Sequence, residues 1–162
     1  MKQRFSIACA YLASISAILI LLITSIQWNC FDRGFYEREY ESMNTAASLH
    51  MSHEDLMKAT ETLLDYLEDT RDDVSVTIDV YELPREAFNE RESLHMVDVK
   101  ALYQFALHVR VLAIIVLVAS FAWMWADQKK TMWKFLSIAF VQCAVSFLCL
   151  LAFLGMWAAI DF

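Results

Sequence analysis

The sequence predicts an α-helical integral membrane protein: three transmembrane helices, with a small α+β extracytoplasmic domain between the first and the second. Three observations carry that fold class. Apolar residues make up 59% of the 162, against only two glycines and one proline, which is more apolar surface than a single soluble core absorbs. Charge is confined to a few stretches, with long uncharged runs between them. Lysines and arginines flank those runs in a pattern that sets a topology.

Residues 5–31 and 135–160 carry no charged side chain. A spanning helix needs about 20 apolar residues at a rise of about 1.5 Å each, and both runs exceed that. The run at 111–126 is shorter, but Tyr103, Phe105, Ala106 and Leu107 extend it upstream. It spans if Arg110 snorkels to the headgroups. Lys2 and Arg4 resemble the start of a signal peptide, but the first run is far longer than an h-region of about 7–15 residues, so a retained anchor is expected. The expected spans are 5–28, 105–126 and 135–160.

Lys2 and Arg4 precede the first span, and Lys129, Lys130 and Lys134 lie between the second and third. Cations of this kind stay in the cytoplasm. The expectation is therefore a multi-pass protein of the cell membrane. Its N-terminus (1–4) and loop (127–134) are cytoplasmic, and the domain at 29–104 is extracytoplasmic. Residues 28–103 hold 18 acidic and 7 basic side chains, a formal net charge of −11 that exceeds the whole chain's −7. Such a surface excludes nucleic acid as a partner and is repelled by anionic headgroups. Trp28, Trp123, Trp125, Trp133 and Trp157 fall near span ends, where aromatic belts sit. Four cysteines give no disulfide framework: Cys9, Cys143 and Cys149 lie in spans as small apolar residues, and Cys30 has no evident partner.

Within the central domain, residues 35–43 are charged and aromatic, with Tyr36 and Tyr40 on one helical face. Ser52 opens a helix, Asp55 completes its capping pattern, and Leu56, Leu63, Leu64 and Leu67 form the buried stripe. Asp72-Asp73 reads as a turn. Val74, Val76, Ile78 and Val80 then alternate with polar residues as a half-buried strand, which Leu83-Pro84 is expected to end. Asn89 caps the next helix, with Glu92 as the return arm of a capping box. No Gly or Pro follows before residue 126, so one long helix is expected to start in water and continue into the bilayer.

The start of that helix carries the candidate chemistry. Glu92, His95 and Asp98 are three apart and share one broad face. Histidine is the only one of these residue types that ordinarily exchanges a proton near neutral pH, and a neighbouring carboxylate can fix its tautomer, as an oriented general base requires. On spacing alone a plainer reading is favoured, in which Glu92 caps, His95 is solvated and Asp98 pairs with Lys100 or Arg91. His50 and His53 form an H-x-x-H pair that suggests zinc only weakly. They flank the Ser52 cap and no cysteine joins them, so a solvated helix start is expected there and not a metal site. His108 is expected at the interface near Arg110.

Residues 88–102, FNERESLHMVDVKAL, resemble the signature of the lipoprotein intramolecular transacylase family of bacterial membrane proteins, F-[ST]-x-R-E-x-x-H-M-x-D-V-[KR]-x-L. Phe88, Arg91, Glu92, His95, Met96, Asp98, Val99, Lys100 and Leu102 fit, and Asn89 stands in place of the hydroxyl cap. The helix end Asp65-Tyr66-Leu67 is similar too, and the likeness runs from the first span to the last residue. It implies an enzyme that moves the sn-2 acyl chain of a diacylglyceryl-modified lipoprotein to the α-amine of its N-terminal cysteine, leaving a lyso form. His95 would be one of two catalytic histidines, Asp98 and Glu92 would orient it, and Arg91 would steady the ester carbonyl or a neighbour. Bacterial lipoproteins and membrane lipid would be the partners, with no metal or cofactor.

The family continues with a second outer segment, F-H-x-x-F-F, and a fourth span. Ile160-Asp161-Phe162 resembles the lead-in to that segment, so the chain is expected to be truncated and, as it stands, inactive. The competing reading is a non-enzymatic membrane protein, an extracytoplasmic sensor or a partner subunit. It accounts for the topology but leaves the shared face of Glu92, His95 and Asp98 unexplained. One geometric tension accompanies the enzyme reading. With the bilayer edge near His108, an unbroken helix lifts His95 by 13 residues, roughly 20 Å, and a lipid ester does not rise that far unaided. A break in the helix, a strong tilt or a local cap would be required.

Overall fold

A computed structural model describes residues 2–160. Asp161 and Phe162, on which part of the expected lead-in falls, lie outside the described residues. In chain order the elements are α1 (Lys2–Cys30), α2 (Arg33–Ser42), α3 (Thr45–Ser48), α4 (His53–Leu67), β1 (Thr77–Val80), β2 (Leu83–Glu86), α5 (Glu90–Gln128) and α6 (Met132–Ile160). The chain divides into two compact units, one of Met1–Thr24 with Val109–Phe162 and one of Ser25–His108.

Three helices are long and apolar enough to cross a membrane, over Gln3–Cys30, Glu90–Asp127 and Met132–Ala159. Each exceeds the uncharged run that predicted it, because charged residues at the ends continue the helix. In the first unit, α1 buries Ser6, Cys9, Ala10, Ala13 and Ser14, a stripe at helical spacing. The residues are small, which lets neighbouring backbones approach closely. Cys9 and Ala10 cluster with Met124, Met132 and Ala139, with Phe121, Phe135 and Leu136 packed around them. Two of the buried hydroxyls have partners: Ser14 donates to the Ala10 carbonyl at 2.7 Å and Ser6 to Asp127 Oδ2 at 3.3 Å. Tyr11 on α1 donates to Gln142 Oε1 on α6.

The second unit is built as the hydropathy pattern requires, with one exception. Asp32 caps α2, accepting the Phe35 amide at 3.2 Å. Tyr36 and Tyr40 lie together with ring centroids 6.0 Å apart. Tyr40 is hydrogen-bonded to Thr60 of α4 at 3.0 Å, and Tyr36 donates to the Cys30 carbonyl. Burial, with smaller contributions from Cys30 and Tyr40, pushes the Tyr36 phenol above its ordinary range. Ser52 caps α4 through the Asp55 amide at 2.9 Å. Leu56 and Leu64 of the predicted stripe are buried and Leu63 and Leu67 half-buried. Asp73 closes its turn by accepting the Ser75 amide. Val74, Val76, Ile78 and Val80 are all buried. The last three form a core with Met51, Ala59, Ala87 and Phe88 around it.

The exception is a second strand. Leu83-Pro84 does not end the β-structure but begins β2, which pairs antiparallel with β1 in the register Val80↔Leu83 through Thr77↔Glu86. The connection is only Tyr81-Glu82, both left-handed at φ 55° and 61°. A two-residue hairpin needs that geometry and normally recruits Asn-Gly, so neither residue announces it in the sequence. Pro84 is tolerated because β2 is exposed along its whole length and lies at the sheet edge. A left-handed non-glycine residue costs about 1–2 kcal/mol. Glu82→Gly is therefore expected to raise the stability of this unit by about 0.5–1 kcal/mol after the extra chain entropy of glycine, measured by thermal unfolding in detergent. A lower midpoint would contradict the strained turn.

Candidate functional site

Asn89 and Glu92 start α5 reciprocally. The Asn89 amide donates to Glu92 Oε2 at 2.9 Å and the Glu92 amide to Asn89 Oδ1 at 3.0 Å, the expected capping box. From there α5 runs unbroken for 39 residues. No break lowers His95, so of the three ways to bring a lipid ester to it, a break in the helix is removed.

One side of α5 is docked on the C-terminal end of α4 and the turn that follows it. Lys100 reaches Asp69 Oδ1 at 2.6 Å and the Arg71 carbonyl at 3.4 Å, and its ammonium lies 4.3 Å from the centroid of the Tyr66 ring. One turn further, Gln104 donates to the Leu67 carbonyl at 2.9 Å. Phe31 stacks on Tyr103 at 4.8 Å. Arg33 of α2 holds the same end of α4, at 2.6 Å from Asp65 and 3.4 Å from Glu68. Each residue of Asp65-Tyr66-Leu67 thus anchors another helix. Sequence reasoning missed this docking set; the i, i+4 pair Lys100 and Gln104, opposite His95 on a helical wheel, was its available signal. Lys100→Ala is expected to cost about 1–2 kcal/mol, discounted because Asp69 is mostly exposed. It should speed hydrogen exchange in the first turns of α5, with Lys100→Arg restoring protection. Unchanged exchange would contradict the docking.

The quoted run therefore splits by side. Phe88, Met96, Val99 and Lys100 are half-buried, whereas Arg91, Glu92, His95, Asp98 and Leu102 are exposed. Glu92 sits at the cap. Arg91, His95 and Asp98 follow one another at i, i+4 and i+7 along the outward side, and among the described residues they make no hydrogen bond or ion pair with one another. Lys100 is turned to Asp69, so it does not neutralise Asp98. The row is an imidazole between a guanidinium and a carboxylate, all in water. Such a set can accept a proton, hold it beside a negative charge, and present a cation to a polarised carbonyl.

The other histidines stand elsewhere. His50 stacks on Tyr81 with centroids 4.3 Å apart, His53 begins α4, and His108 Nδ1 lies 2.7 Å from the Gln104 carbonyl. Among the described residues no group of three His, Cys, Asp or Glu side chains stands together as a metal site.

Three helices of spanning length, one of which carries this polar row before its apolar stretch, fit a multi-pass membrane protein. The family model described as lipoprotein intramolecular transacylase Lit matches residues 11–162. The chain belongs to that family. No curated protein and no solved structure matches it.

Proposed function

We propose that this protein transfers the sn-2 acyl chain of a diacylglyceryl-modified lipoprotein to the α-amine of the same lipoprotein's N-terminal cysteine. The observation that carries the reading is the open row of Arg91, His95 and Asp98 on α5, in a chain of the transacylase family. The amine nitrogen attacks the ester carbonyl carbon; a C–N bond forms and the ester C–O bond breaks. His95 takes the proton that the amine loses and returns it to the departing sn-2 oxygen, leaving an amide and a free hydroxyl. Nothing else is consumed. An α-amine with a pKa of about 8 needs only modest help to lose its proton, and amine and ester belong to one molecule, so proximity supplies much of the acceleration.

In this reading Asp98, one turn further along the same side, turns toward the imidazole once the substrate is seated, Arg91 steadies the carbonyl oxygen as charge develops, and Glu92 acts as a positioning residue by holding the start of α5. The row works on the extracytoplasmic side, where the cations at residues 2, 4, 129, 130 and 134 leave it, because exported lipoproteins are met only there. The test is His95→Gln in the chromosomal gene, read by lipoprotein mass spectrometry. Loss of the N-acylated lyso form at normal protein level supports the enzyme. Unchanged lipoproteins would instead favour a sensor or partner subunit.

A further inference from the structure

Beside the polar row on α5 lies an apolar one. Arg91, His95, Asp98 and Leu102 form one ridge at i, i+4, i+7 and i+11. Leu94, Val97, Ala101 and Phe105 form the next, at i, i+3, i+7 and i+11. Adjacent ridges on a helix enclose a shallow groove between them. Their large apolar members are uncovered by the rest of the chain: Leu94 is 65% exposed, Val97 53% and Leu102 69%, with Phe105 (67%) at the start of the expected span. Large apolar side chains in a row this exposed, on an otherwise acidic unit, call for an occupant.

The dimensions and the chemistry select one. From Leu94 to Phe105 the row is roughly 16 Å long and no wider than a helix, about 10 Å. That is far below the ~800 Å² per partner that a specific protein interface requires, but it suits one extended hydrocarbon chain. The unbroken α5 makes the same demand from another side. An ester at His95, about 20 Å along the helix from His108, drags its acyl chain out of the hydrocarbon at about 0.8 kcal/mol for each methylene left in water. A track of apolar side chains from Phe105 to Leu94 offsets that cost.

We propose that the groove between these two ridges of α5 seats the acyl chain being transferred, with its ester end beside His95 and its tail toward Phe105. This rests on the transacylase reading and adds a specificity-determining surface to it. Chain length is then read by how far the tail reaches down the row.

The test uses the protein reconstituted in phosphatidylglycerol–phosphatidylcholine vesicles with a diacylglyceryl-cysteine lipopeptide whose sn-2 chain ends in a diazirine. After irradiation, adducts are mapped by peptide mass spectrometry. Adducts are expected within residues 94–105, falling at least about tenfold in the double variant Leu94→Glu, Val97→Glu, whose exposed positions lie upstream of the expected span and spare the fold. Adducts confined to other residues, or unmoved by that variant, overturn the groove. So does a change from dimer to monomer in the variant with labelling intact, which makes the face a contact between copies. The His95→Gln protein should still be labelled while transfer is lost. Labelling without any transfer in cells carrying the unmodified gene would remove the enzyme reading and leave a lipid-binding groove. Transfer without labelling of this row would remove the groove alone.

Discussion

Replacing His95 by glutamine is expected to lower formation of the lyso-form lipoprotein by at least about 100-fold, the usual worth of a positioned general base. The protein should fold as before. His95 is exposed, and it serves neither the Asn89–Glu92 cap nor the contacts of Lys100 and Gln104 with Asp69 and the Leu67 carbonyl. A change at such a position is generally within about 0.5 kcal/mol. Glutamine keeps a side chain of similar reach but cannot take up the amine's proton. Lipoprotein mass spectrometry should therefore show the diacyl form accumulating while the thermal midpoint in detergent stays put. Lyso form at the original level would end the assignment of His95 as base. A collapse in midpoint would mean that the residue has a structural role that the fold does not display.

The second large effect concerns the support of that site. Ile78 is 5% exposed and sits at the centre of the core formed with Val76 and Val80. Its neighbours Ala87 and Phe88 lead directly into the Asn89 cap of α5. Truncation to alanine leaves a cavity and is expected to cost about 3 kcal/mol, lowering the unfolding midpoint of this unit by about 10 °C or more. Ile78→Val should cost only about 1 kcal/mol. Protease resistance of the segment before α5 should fall in the same order. A shift of less than about 3 °C for alanine would show that the three valine and isoleucine side chains do not form the core.

The site was legible where short spacings decide it. Asn89 with Glu92 and Ser52 with Asp55 are pairs that a helix start fixes without outside help, and both caps formed as read. Putting Glu92, His95 and Asp98 on one face follows from 3.6 residues per turn. Which neighbour each side chain then chooses does not. Lys100 was an equal candidate partner for Asp98, but Tyr66, Asp69 and Arg71 lie 29 to 34 residues earlier in the chain and converge on it only after the end of α4 and the turn behind it meet α5.

The sequence by itself determined the three apolar helices, the caps of α4 and α5 and the buried alternation of Val74 to Val80, because each follows from local periodicity and from the cost of leaving apolar or backbone groups in the wrong solvent. Only the tertiary structure decided that Tyr81-Glu82 turns a hairpin and that Leu83-Pro84 opens a strand. It alone also set which side of α5 is docked and which is left open. Those outcomes depend on contacts between residues distant in the chain, whose energies outweigh the local preferences that a sequence displays.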